Sequence, residues 1–123
     1  MSLYKVMGVD VEMDFLDADF MERFENAYEK MESTVENVSP TAKTSELIRS
    51  KCKAMKTFMI DVFGEEKHKE MFGDKQSIAL YVQASNEIYE ARVQQDLKYK
   101  QMQNKFHVQN QRFHGNNKKK HRK

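Results

Sequence analysis

The run from Ser45 to Asp74 limits what this chain can fold into more than any other stretch. Its first half places Ile48, Cys52, Met55, Met59 and Val62 at alternating steps of four and three. Leu47, Ala54, Phe58 and Phe63 widen that stripe, while Arg49, Lys51, Lys53, Lys56 and Asp61 fall largely on other faces. This is the apolar period of an amphipathic helix with one face in a core. The period stops at Phe63-Gly64, where glycine can take the left-handed backbone that ends a helix. Glu65 to Glu70 reads as a short polar turn, followed by a second stop at Phe72-Gly73 and by Asp74 or Ser77 as a cap for the next helix. Two helices pinned by a double-glycine elbow therefore form the expected centre of the fold. No catalytic constellation lies in the stretch.

The elements on either side are expected to complete one small domain. Val9, Val11, Met13 and Phe15 alternate with Asp10, Glu12 and Asp14, the period of a strand with one buried face. Tyr4 and Val6 precede that strand across Met7-Gly8, which predicts an N-terminal hairpin. A lone hairpin is marginal in water and needs a helix to pack on. Phe20, Phe24, Tyr28, Met31 and Val35 supply one, with Asp17 or Asp19 as its cap and Glu22 completing a capping box with Asp19. Asn37 to Thr44 interrupts the pattern, and Ser39-Pro40 could also open the second helix. From Ile78 a longer helix follows, its face traced by Tyr81, Val82, Ser85, Ile88, Tyr89, Arg92 and Val93. The expectation is a mainly α-helical domain over residues 1–96 with three principal helices and a small N-terminal β-hairpin. A basic, glutamine-rich extension over 97–123 is loosely helical at first and disordered from about Gln109.

With 123 residues, 39% apolar and 33% charged, a core is attainable but small. The formal charge of +2 conceals a polarity along the chain. Residues 1–36 carry ten acids against three bases, residues 37–96 balance at nine and nine, and nine bases without an acid follow Asp96. No apolar run reaches the roughly 20 residues of a membrane span, and no signal peptide is visible. The single cysteine cannot form an internal disulfide, so a reducing cytoplasm is the expected setting.

Candidate chemistry is sparse. Asp10, Glu12 and Asp14 have the spacing that opens a calcium loop, but Phe15 and Met21 stand where glycine and glutamate would be needed. The four histidines are scattered without a zinc spacing, and Cys52 lies on an apolar helix face. There is no phosphate loop and no nucleophile elbow. No enzyme, metal or cofactor is expected. The basic residues of the extension, ending in Lys118, Lys119, Lys120, Arg122 and Lys123, have Tyr99, Phe106 and Phe113 interleaved. That pattern could hold a nucleic-acid backbone and stack bases, or meet an acidic protein, including the acidic head of a second copy.

The order of these elements resembles the small tail assembly chaperones of long-tailed phages and prophages of Gram-positive bacteria. The resemblance covers about residues 4 to 95 and rests on Asp17 to Phe24, Ile48 with Cys52, Val62-Phe63-Gly64 and Met71-Phe72-Gly73-Asp74. It implies a cytoplasmic, non-enzymatic protein that coats the tape measure protein, keeps it soluble and helps tail-tube subunits polymerise around it. It also implies absence from the finished particle, and in many members a longer form made by frameshifting near the C-terminus. A holdase needs adaptable apolar contacts, for which methionine-rich faces are suited. Met55, Phe58, Met59, Met71 and Phe72 are the candidate partner contacts, although the same residues are what a small core requires. Self-association into dimers or larger arcs would bury spare apolar surface. A nucleic-acid-binding protein acting through the basic tail, or a structural phage subunit, are the competing readings.

Overall fold

A computed structural model describes residues 2–36 and 39–113, and shows a two-stranded hairpin followed by four helices. Strands β1 (Ser2–Val6) and β2 (Val9–Met13) pair antiparallel, with Val6 opposite Val9 and Tyr4 opposite Val11. Met7 and Gly8 both take positive φ, 51° and 78°, so the two-residue turn has the mirror-image twist that suits a tight hairpin. The alternation predicted for β2 holds: Val6, Val11 and Met13 are buried, while Lys5 and Asp10 form an ion pair of 2.9 Å on the wet face. Glu87 Oε1 accepts the Met7 N–H at 2.7 Å and so ties the turn to the last helix.

Helix α1 (Ala18–Glu36) is capped by Asp17 rather than Asp19: Asp17 Oδ2 accepts the Phe20 N–H at 2.9 Å. Such a cap is worth about 1 kcal/mol. Phe15, Phe20 and Phe24 meet at ring distances of 5.2 to 6.2 Å where the hairpin enters the helix. Ser39-Pro40 forms a turn, with the Ala42 N–H donating to the Ser39 carbonyl, and α2 (Thr44–Phe63) begins four residues later. Its stripe is buried from Cys52 onward through Ala54, Phe58, Met59 and Val62. Ile48, at the same register, is 36% exposed.

Gly64 and Gly73 end α2 and the next helix with positive φ of 95° and 58°. Their N–H groups donate to the Ile60 and Lys69 carbonyls, each at 2.8 Å. The segment between them is not a polar turn but an eight-residue helix, α3 (Glu65–Phe72). Glu65 and Glu66 in its first turn suit the helix dipole, and His68, Met71 and Phe72 supply a short buried face. Helix α4 (Ile78–Phe113) is a single unbroken helix of 36 residues, about 54 Å long. Ser77 precedes it, with its carbonyl accepting the Tyr81 N–H. Tyr81, Ala84, Ile88, Ala91 and Gln95 face the core. From Asp96 to Phe106 every side chain is exposed, so α4 leaves the body of the protein after Gln95.

Candidate protein-binding surface

Four of the five contacts expected from the sequence close the core instead. Phe58, Met59, Met71 and Phe72 are 7, 2, 8 and 3% exposed, and Met55 is half-buried against them. The cause is the size of the core: α2 and α3 must seal it against α1, the hairpin and α4, and these are their largest apolar residues. Phe58 packs edge-on to Phe24 at 5.3 Å and Tyr28 at 6.3 Å. Phe72 stacks on Tyr81 at 4.2 Å and lies 5.0 Å from the His68 ring. Lys118, Lys119, Lys120, Arg122 and Lys123 lie outside the described residues.

Most of the exposed large apolar residues are on α4, with Leu3, Leu16, Tyr28 and Ile48 exposed elsewhere. Val82, Tyr89, Val93 and Leu97 are 45, 67, 37 and 54% exposed, and steps of seven, four and four place them along one outward side of the helix. The sequence assigned the first three to the same broad face as Tyr81 and Ile88. The set that separates them is Tyr81, Ala84, Ile88, Ala91 and Gln95, whose three-and-four spacing leaves Val82, Tyr89 and Val93 on the opposite side. Beside this strip, α1 and α4 stand apart and leave an open groove of about 660 Å³. Phe24, Met31, Phe58 and Ile88 give it an apolar floor. Glu25, Glu29 and Glu32 line its α1 side, and Tyr89 and Arg92 its α4 side. An apolar groove between helices is the form that receives a partner helix through contacts spaced three and four residues apart.

Two polar positions inside the fold escaped sequence reasoning. The Gln95 side chain donates from Nε2 to the Met13 carbonyl at 2.6 Å and accepts the Phe15 N–H at Oε1 at 2.7 Å. It thereby completes the hydrogen bonding where β2 ends. His68 is 4% exposed and shares a hydrogen bond of 2.7 Å with the Tyr81 hydroxyl. Burial, with Lys56 adding, holds the His68 imidazole below its usual value of 6.5, while Glu65 opposes the shift. Burial, with the neighbouring Cys52 adding, pushes the Tyr81 hydroxyl up to about 12. The Cys52 thiol is also raised by burial, the reverse of what an activated thiolate needs.

The sign of the resulting pH dependence follows from linkage. A histidine with a lowered folded-state value gives its full stability above the unfolded value of 6.5 and loses it as pH falls through the folded value. The denaturation midpoint of the wild-type protein should therefore drop below pH 6.5, and His68→Gln should flatten that part of the profile. Equal pH slopes in the two proteins would show that His68 does not titrate against folding.

Among the described residues no group of three His, Cys, Asp or Glu side chains is placed to hold a metal ion. No helix there is long and apolar enough to cross a membrane. No curated protein and no solved structure matches the chain. Residues 7–123, from the hairpin turn through α4 and beyond, match a family of unknown function, and the chain belongs to that family, DUF6673.

Proposed function

We propose that this protein is a tail assembly chaperone that binds the tape measure protein through the outward side of α4, keeps it soluble and assists tail-tube assembly. The observation that carries the reading is the strip Val82, Tyr89, Val93 and Leu97, exposed along a helix whose opposite side is already packed in the core. A helix with apolar residues on more than its core face has surface that a partner can cover. The sequence resemblance supplies the identity of the partner. The reading is of a cytoplasmic, non-enzymatic protein whose work is to shield an apolar client.

The α4 extension supports a second reading. Lys98, Lys100 and Lys105 surround Tyr99 and Met102 with no acid between Asp96 and Phe113, a composition that suits a nucleic-acid backbone. Salt separates the two. Complexes held by phosphate contacts weaken by orders of magnitude between low and moderate salt, whereas burial of apolar surface does not. Retention of the tape measure protein across that range supports the client reading. Binding to nucleic acid alone, lost as salt rises, would replace it.

A further inference from the structure

The core-facing side of α4 does not stop where the core stops. Tyr81, Ala84, Ile88, Ala91 and Gln95 face the core at alternating steps of three and four, and Met102, seven residues after Gln95, carries the same side onto the extension with Tyr99 beside it. An apolar strip that runs on past the core is surface that another helix can cover. The body of the protein covers only the first part of this strip. Tyr99 and Met102 continue it on the extension, 43 and 58% exposed. Meanwhile the stretch from Ser85 to Arg92 borders the open groove, opposite the glutamates of α1.

The two unfilled features are complementary. The groove has an apolar floor and three glutamates, Glu25, Glu29 and Glu32. The extension has apolar seam residues flanked by Lys98, Lys100 and Lys105. It cannot enter its own groove, because those residues ride on the same unbroken helix that forms one wall. We propose that the groove receives the α4 extension of a second copy of this chain. Each copy offers one groove and one extension, so reciprocal docking closes a two-fold dimer. With the two α4 helices antiparallel and the axis at the level of Gln95, Met102 lies level with the partner copy's Ile88, and Tyr99 level with its Ala91, next to Arg92. The three lysines then approach the other copy's α1 glutamates. Val82, Val93 and Leu97 of the outward strip do not line the groove, whereas Tyr89 stands at its edge, and the dimer does not depend on the client proposed above.

Light scattering on the full chain should give twice the 14.6 kDa mass of one chain. Met102→Glu alters an exposed residue and should leave the helical signal intact while weakening the dimer at least about tenfold. A charge exchange tests the pairing itself. A chain with Glu25, Glu29 and Glu32 changed to lysine should be monomeric alone, as should one with Lys98, Lys100 and Lys105 changed to glutamate. An equal mixture of the two should form the heterodimer. A monomeric wild-type protein would overturn the proposal and leave the groove to some other occupant. So would a dimer indifferent to Met102→Glu, or a mixture that fails to pair.

Discussion

Phe72→Ala is expected to remove about 3–5 kcal/mol of folding stability, the usual cost of emptying a buried phenylalanine site. The ring is 3% exposed and stacked on Tyr81 at 4.2 Å, with His68 beside it. It is also the last residue of α3, fixed by the turn at Gly73, so its neighbours have little freedom to collapse into the void. A domain of this size has only about 5–15 kcal/mol in total, so a large fraction of its stability is at stake. Chemical denaturation reads the effect as a lower midpoint with an unchanged slope. Tyr89→Ala, on the outward side of α4, should change the folding stability by less than about 0.5 kcal/mol. If Phe72→Ala were as mild as Tyr89→Ala, Phe72 would belong to a contact surface after all, as the sequence had allowed.

The second large effect is expected at Gln95. Gln95→Leu keeps the volume but strands two buried backbone groups, the Met13 carbonyl and the Phe15 N–H, now held at 2.6 and 2.7 Å. Each buried group left without a partner costs about 1–3 kcal/mol, which places the variant near the Phe72→Ala loss. Gln95→Glu separates the two bonds, because a carboxylate can still accept the Phe15 N–H but cannot donate to Met13. Amide exchange at Phe15 should accelerate in Gln95→Leu. Unchanged exchange and stability would mean that water replaces the amide at no cost.

The hairpin, α1, α2 and the two glycine stops were legible because local pattern and final environment agree there. Period-two alternation around Val11 and the four-and-three spacing from Cys52 to Val62 correspond directly to buried faces. Helix α3 was hidden because Glu65 to Glu70 carries no apolar residue, and His68 becomes a core residue only through Tyr81, thirteen positions away. Gln95 stands beside Gln94 and nothing local distinguishes them; the strand end that it completes is more than eighty residues distant. Met55, Phe58, Met59, Met71 and Phe72 were ambiguous for a related reason. Phenylalanines and methionines on α2 and α3 suit a core and a contact face equally, and only packing decides between them. Helix α4 has more apolar residues than one face can bury, a surplus visible in the sequence, but the side left outward depends on where the hairpin docks.

The most direct test is co-expression with the tape measure protein encoded in the same genome, followed by its solubility and co-elution at moderate salt. The wild-type chain and Val82→Glu/Val93→Glu would be compared, with circular dichroism confirming that both are folded. The account predicts that the wild-type chain keeps the partner soluble and elutes with it, and that the double variant, equally folded, loses it. A partner that stays insoluble beside the wild-type chain, or that is held equally well by the double variant, would contradict the claim that the outward side of α4 binds the client.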